Sequence, residues 1–306
     1  MPIQLGYACI NTFLRKDRIF TNRHMRKATF QAKGIEYASE LNLQNVKDLV
    51  KIIQWNHDNG IKVYRMSSDI FTWCSEYEFK DLPDYKEICS VLKQAGSLAR
   101  KYGQRLSAHP GQYTVLASEN EDTVVKSIDI LNKTAQFMDL MDMPKTPYCK
   151  INIHIGGAYG DKESAMARFC KNFKRIQPSA QARLTVENDD KASMYSVVDL
   201  YNGVHKVIGI PIVFDYHHHA FCTGDLTESE ALHLAAKSWP ANVKQCTHYS
   251  ESMLIKENAE GKKPQAHSHF IYDEIQTYGL DIDCVVEAKA KEQAVQKYYE
   301  KHLVIS

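Results

Sequence analysis

The chain has 306 residues, 44% of them hydrophobic and 25% charged, with a formal net charge of +1. That is the make-up of an ordinary soluble globular protein, large enough to bury a core without disulfide staples. It excludes a global basic field, so any nucleic-acid contact has to come from a local basic groove.

The eight cysteines show no CxxC spacing, which argues against a zinc ribbon; they read as reduced thiols of an intracellular protein. No basic stretch followed by a long apolar run opens the chain, so neither a signal peptide nor a membrane span is expected.

In chain order, β-rich runs are expected at residues 3–8, 61–66, 104–108, 149–155, 182–187, 211–215, 243–247 and 283–288. Amphipathic helical patterns fall at 43–58, 85–102, 121–141, 162–176, 194–206, 228–237 and 269–278, with a helical tail at 291–301. Strand alternating with helix means parallel βαβ units. Eight such strands count out one closed (β/α)8 TIM barrel over residues 1–306. An open doubly wound sheet is the alternative, but residues 6–11 lack the glycine-rich phosphate turn that usually follows its first strand. The longest irregular stretches are expected at 12–42, 67–84 and 250–265.

Imidazoles and carboxylates recur at the ends of these strands. His109 follows the third, His154 lies near the end of the fourth, and Glu187 ends the fifth. Asp215 ends the sixth, with His218 three residues on, and His248 follows the seventh. His267 precedes the eighth strand and Glu287 lies near its end. In a barrel these ends share one face, where barrel enzymes keep their active sites. A mixed His/Asp/Glu set suits zinc, manganese or iron. The set is too large for one ion and suits two or three that share bridging carboxylates. Such a cluster can activate water, bind a phosphate and stabilise a leaving oxygen. Any one histidine near a strand end is more often a satisfied polar residue, and a carboxylate there often caps the next helix. The weight lies in the recurrence, strand after strand.

Several segments carry a resemblance. They include Leu5-Gly6-Tyr7-Ala8-Cys9-Ile10-Asn11, Tyr64-Arg65-Met66-Ser67-Ser68-Asp69 and Ala108-His109-Pro110-Gly111-Gln112-Tyr113. Others are His154-Ile155-Gly156-Gly157-Ala158-Tyr159-Gly160, Glu187-Asn188-Asp189, Asp215-Tyr216-His217-His218, Ala266-His267-Ser268 and Glu287-Ala288-Lys289-Ala290-Lys291. Through them the chain resembles the ultraviolet damage endonuclease family, over nearly its whole length.

The resemblance implies a barrel related to endonuclease IV and xylose isomerase, with a cluster of two or three divalent ions, manganese first and zinc as the alternative. It implies a monomer that nicks damaged double-stranded DNA immediately 5′ of ultraviolet photoproducts and other distorting lesions, leaving a 3′-hydroxyl and a 5′-phosphate. The implied ligands are His109, His154, Glu187, Asp215, His218, His248, His267 and Glu287. Glu187 would also be catalytic, and Lys289 and Lys291 would stabilise the transition state. Gln112 and Tyr113 would probe the duplex, an amide filling the gap left by extruded bases and a ring replacing lost stacking. Tyr7 and Asn11 would line a lesion pocket, and Arg65 would contact DNA.

Two positions depart from the family. Its lysine two residues before the seventh-strand histidine, which can be carboxylated, is Cys246 here, with Lys244 two residues earlier. The aspartate two residues after the position of His267 is His269 here. Arg15, Lys16, Arg18, Arg23, Arg26 and Lys27 in the first loop, with Lys256, Lys262 and Lys263, are expected to track phosphates. Two other functions compete: a sugar isomerase or epimerase on a related metal barrel, and a non-catalytic damage sensor.

Overall fold

The computed structural model describes residues 3–302; residues 1, 2 and 303–306, which the expected barrel and the N-terminal reading also include, lie outside the described residues. Strands and helices alternate as β1 (Ile3–Ala8), α1 (Lys27–Asp58), β2 (Val63–Arg65), α2 (Tyr85–Lys101), β3 (Arg105–Ser107) and α3 (Glu121–Leu140). Then follow β4 (Ile151–Ile153), α4 (Lys162–Phe173), β5 (Leu184–Glu187), α5 (residues 197–208), β6 (Ile212–Val213), α6 (Glu228–Ala236), β7 (Cys246–Tyr249), β8 (Ile282–Val286) and α7 (Glu292–His302).

Parallel pairing runs β3–β2–β1–β8–β7 in one arc and β4–β5–β6 in another. Single parallel bridges, Ala108 to Ile151 and Asp215 to His248, join the arcs and close the ring. The chain is therefore an α/β TIM barrel. Helices cover the outside and side chains fill the inside, so most strand residues are buried on both faces, as parallel strands must be. β1 runs so close to β2 that a Cβ at position 6 would lie 1.8 Å from the Val63 carbonyl oxygen, and only glycine fits.

Local chemistry starts several helices. The side chains of Asn120, Asp161 and Thr227 accept from backbone amides in the first turns of α3, α4 and α6. At the N-terminal end of the barrel, buried Arg105 pairs with Asp283 at 2.9 Å and donates to the carbonyls of Lys244 and Tyr148, both at 2.8 Å. A charge buried this deeply is tolerated because nearly every donor has a partner.

Two stretches differ from expectation. Residues 12–42 are not all irregular: α1 begins at Lys27, interrupted only at Gly34, where φ is 67°. Ala28, Gln31, Ala32, Lys33 and Glu36 are good helix formers but give no apolar stripe to read. Residues 269–278 form no helix. Glu251 accepts from the amides of Tyr272 and Asp273, and the Tyr298 hydroxyl accepts from Ile275, so side chains take donors that a helix would use internally. Among the described residues no helix is long and apolar enough to cross a membrane.

Candidate metal centre

The C-terminal ends of the strands deliver the expected residues to one face. Glu187, last residue of β5, is the hub. Its Oε2 lies 3.3 Å from His109 Nε2 and 3.8 Å from His154 Nε2. Its Oε1 lies 3.0 Å from His248 Nδ1 and 3.5 Å from His218 Nδ1. Ligand atoms of His109, His154 and Glu187 fall within 4.8 Å of one another, and so do those of Glu187, Asp215 and His248. The two sets share Glu187, the arrangement a bridging carboxylate needs.

The ring nitrogens are sorted by their partners. A carbonyl can only accept, so Nδ1 of His109 donates to Pro110 O at 3.0 Å, that of His218 to Asn188 O at 2.9 Å and that of His267 to Glu287 O at 3.0 Å. In each case Nε2 is the nitrogen left to face an ion, the usual way a protein presets a ligating histidine. Behind His154 stands a carboxylate instead, Asp189 Oδ1, 2.9 Å from Nδ1 as an ion-pair contact. His248 does not: its Nδ1 faces Glu187, and its Nε2 meets the amine of buried Lys150 at 2.8 Å.

The electrostatics suit a cation. Burial would raise the Glu187 carboxyl, but His248 and His154 outweigh it and hold it well below the usual range. Burial opposes charge on His154, yet Glu187 and Asp189 raise it to about 9. His218 is likewise raised to about 9, with Asp215 and Glu187 overcoming burial. Asp215 is raised to about 7 by burial, only partly offset by His218. Burial pushes His248 down to about 3. Oδ2 of Asp215 is buried without a hydrogen-bond partner, which leaves an acceptor that an ion would satisfy. The donor set therefore fits borderline divalent metals.

Glu287 and His267 stand beside the two sets. Glu287 lies 3.4 Å from His248 Nδ1 but is engaged by Arg65, whose charge outweighs burial and lowers the carboxyl. Arg65, expected to contact DNA, is turned under the site, with its side chain 13% exposed. Tyr7 and Asn11, expected to line a lesion pocket, lie below the surface. Both are fully buried, the Tyr7 hydroxyl donating to Asn56 Oδ1 at 2.8 Å and Asn11 Nδ2 donating to that hydroxyl at 2.9 Å. Asn11 Oδ1 also accepts from the Leu14 amide, so the pair braces the first loop from below.

Lys291 is half-buried, its amine pushed down by burial and partly pulled back by Cys9 and Glu287. Lys289 is exposed, with its amine 3.6 Å from Met253 Sδ. Lys244 points to the opposite end of the barrel, paired with Asp281 at 2.7 Å and Asp283 at 3.0 Å, and takes no part. His269 pairs with Glu257 at 2.8 Å and pins two loops together. Arg23, expected to track phosphates, is engaged within the fold: it meets buried Asp48 at 2.7 Å and the Arg18 carbonyl at 2.7 Å.

Gln112 and Tyr113 form an exposed loop tip, Tyr113 81% exposed. Gln112 lies on the wall of a cavity of about 310 Å³ shared with His109, His154, Asp189 and His218. Tyr113 lines a second cavity of about 570 Å³ with Trp73, Phe71 and Asp69. The tip therefore divides two hollows on the open face.

Four contributors escaped the sequence reading. Asn152 donates to Glu187 Oε2 and Thr185 hydroxyl donates to Asn152 Oδ1 at 2.8 Å, while Lys150 and Asp189 back His248 and His154. A signal existed. In Lys150-Ile151-Asn152-Ile153-His154 the polar residues alternate with isoleucines, so all three fall on one face of the strand.

The family model described as UV-endonuclease UvdE matches residues 3–304. The UV-damage endonuclease of Schizosaccharomyces pombe is 37% identical over 303 residues, covering 95% of this chain and 49% of that protein. The chain spans about half the length of the fungal relatives it matches. The solved structure of SacUVDE superposes with a TM-score of 0.83 at 26% identity, covering 99% of this chain and all of the other. D-psicose 3-epimerase from Clostridium cellulolyticum H10 superposes over 93% of this chain and 84% of its own with a TM-score of 0.54 at 11% identity, a likeness of fold alone. With a full-length family model and a superposable solved relative, the chain belongs to the UV-endonuclease UvdE family.

Proposed function

We propose that this protein is a divalent-metal-dependent endonuclease that nicks damaged duplex DNA immediately 5′ of ultraviolet photoproducts and other distorting lesions. The products on this reading are a 3′-hydroxyl and a 5′-phosphate. The observation that carries it is the Glu187 hub, ringed by His109, His154, His218 and His248, on an open face beside an exposed Gln112–Tyr113 tip. The names of the relatives point the same way.

His109, His154 and Glu187 would hold one ion, and Glu187, Asp215 and His248 a second; His218, Glu287 and His267 stand ready to complete them or to hold a third. Manganese is the proposed metal, with zinc as the alternative. Bound ions would supply Lewis acidity toward the phosphodiester and the attacking water. Glu187 keeps its charge, so it can bridge the two sets. Asp189 and the carbonyls of Pro110, Asn188 and Glu287 keep the imidazoles aimed. Lys291, whose amine feels the Glu287 charge, would offset charge that develops there.

Damage is read by deformability. A distorted pair is already partly unstacked and costs less to extrude, and the Gln112–Tyr113 tip fills the gap. Arg15, Lys16, Arg18, Arg26 and Lys27 are exposed and would neutralise phosphates along the first loop. The protein would act as a monomer, on DNA inside the cell. A sugar epimerase needs a small closed pocket, whereas this face opens around an exposed tip.

The deciding experiment is nicking of an ultraviolet-irradiated plasmid with Mn2+, with EDTA, and with Glu187→Gln. Metal-dependent nicks that Glu187→Gln abolishes while lesion binding persists support the proposal. Turnover of free ketoses without nicking, or lesion binding without any nick, would defeat it.

A further inference from the structure

The one histidine of the cluster held differently is His248. Oxygen acceptors stand behind Nδ1 of His109, His154, His218 and His267, but His248 is held at Nε2, and by an amine. Lys150 Nζ lies 2.8 Å from that nitrogen, and both residues are wholly buried. They come from strands that are not neighbours, since Lys150 immediately precedes β4 and His248 lies within β7. Lys150 also shares its inward face with Asn152, which donates to Glu187, and with His154. The segment through β4 thus acts on two members of the cluster and supplies a third.

We propose that Lys150 is a positioning residue of the metal centre, whose amine fixes the ring of His248 so that Nδ1 faces Glu187 and Glu287. An imidazole anchored at one nitrogen cannot spin about its bond to Cβ, so the other nitrogen stays 3.0 Å from Glu187 Oε1 and 3.4 Å from Glu287 Oε1. A lysine is an unfavourable choice for a dry interior if packing were its only task. Methionine is of similar length, carries no charge and fills irregular gaps well. A space-filling role and a positioning role therefore predict opposite results on exchange.

The inference rests on the metal reading above, and its test separates the two. Mn2+ is titrated calorimetrically into EDTA-stripped wild-type protein, Lys150→Met, His248→Ala and the double variant, and each metal-free form is melted. Lys150→Met is expected to weaken Mn2+ binding by about 10- to 100-fold, the usual cost of losing a partner behind a ligating histidine. Its metal-free melting temperature should stay level or rise. In the His248→Ala background the same exchange should leave affinity unchanged, because the amine acts through that ring. Affinity in Lys150→Met equal to or above wild type overturns the proposal, as does an equal loss in both backgrounds. Lys150→Leu is the second variant; if neither exchange folds, the residue is structural and the proposal fails. Wild-type protein that takes up no Mn2+ overturns the metal reading itself.

Discussion

The Asp189 carboxylate lies 2.9 Å from Nδ1 of His154, and Glu187 lies 3.8 Å from Nε2 of the same ring. His154 is thus held between two carboxylates, one aiming it and one sharing its proposed ion. Removing the aiming charge with Asp189→Asn should lower the His154 pKa from its raised value and weaken Mn2+ binding by about 10- to 100-fold. Titration of the variant with Mn2+ checks this. Unchanged affinity would show that His154 needs no anchor.

The first-loop cations divide into two kinds, and exchange should separate them. Arg23→Ala leaves the buried Asp48 with Lys51 as its remaining ion-pair partner, so stability should fall by about 2 kcal/mol. Arg15→Ala with Lys16→Ala should leave the melting temperature alone, since both side chains are exposed. That pair should instead reduce the slope of log affinity against log salt by up to about 2. Thermal melts and DNA binding across a salt series measure both. A salt slope lowered by Arg23→Ala and not by the pair would reverse the assignment.

Tyr113 at 81% exposed has little to lose on folding and much to gain on contact. Tyr113→Ala should cost about 1–3 kcal/mol in binding to lesion-containing duplex, the value of one stacked ring. Gln112→Ala should narrow the preference for damaged over intact DNA. Neither should alter the melting temperature or Mn2+ affinity. Equal lesion preference in wild type and in both variants would remove the probe from the reading.

The buried charges predict a pH dependence of opposite sense to ordinary acid unfolding. His154 and His218 are raised to about 9, so the stability they contribute is complete below about pH 6.5 and is lost as pH climbs through 9. Asp215, raised to about 7, acts in the same direction, because its protonated form is favoured in the fold. His109, His217 and His248, lowered by burial, and the carboxylates Glu187 and Glu287, also lowered, change charge below this window. Metal-free protein should therefore melt at steadily lower temperature from pH 6.5 to 9. Saturating Mn2+ should flatten that trend by taking the place of the protons. Scanning calorimetry with and without EDTA tests it, and a melting temperature that climbs with pH in EDTA contradicts it.

Much of the architecture is legible before any coordinates. β1 runs from Ile3 to Ala8 as the pattern predicts, and α2, α3, α4 and α6 begin at Tyr85, Glu121, Lys162 and Glu228 as expected. Caps such as Asn120 and Asp161 act within three residues, so neighbours in the chain suffice to show them. The segment at 27–42 shows no apolar stripe that would mark it as a helix, and the conformation of 269–278 depends on partners farther off. The latter is shaped by Glu251 and Tyr298, about twenty residues away on either side.

Residue order alone determined the alternation of strand and helix, and with it that His109, His154, Glu187, Asp215 and His248 must share one rim. Those follow from periodicity and from the rule that parallel strand ends point one way. Only the closed barrel decided which side chains face one another across it. Lys150 reaches His248 over 98 positions, and Arg65 reaches Glu287 over 222. The direction of a buried polar side chain is set by whichever distant partner can satisfy it, and no local pattern in the chain encodes that choice.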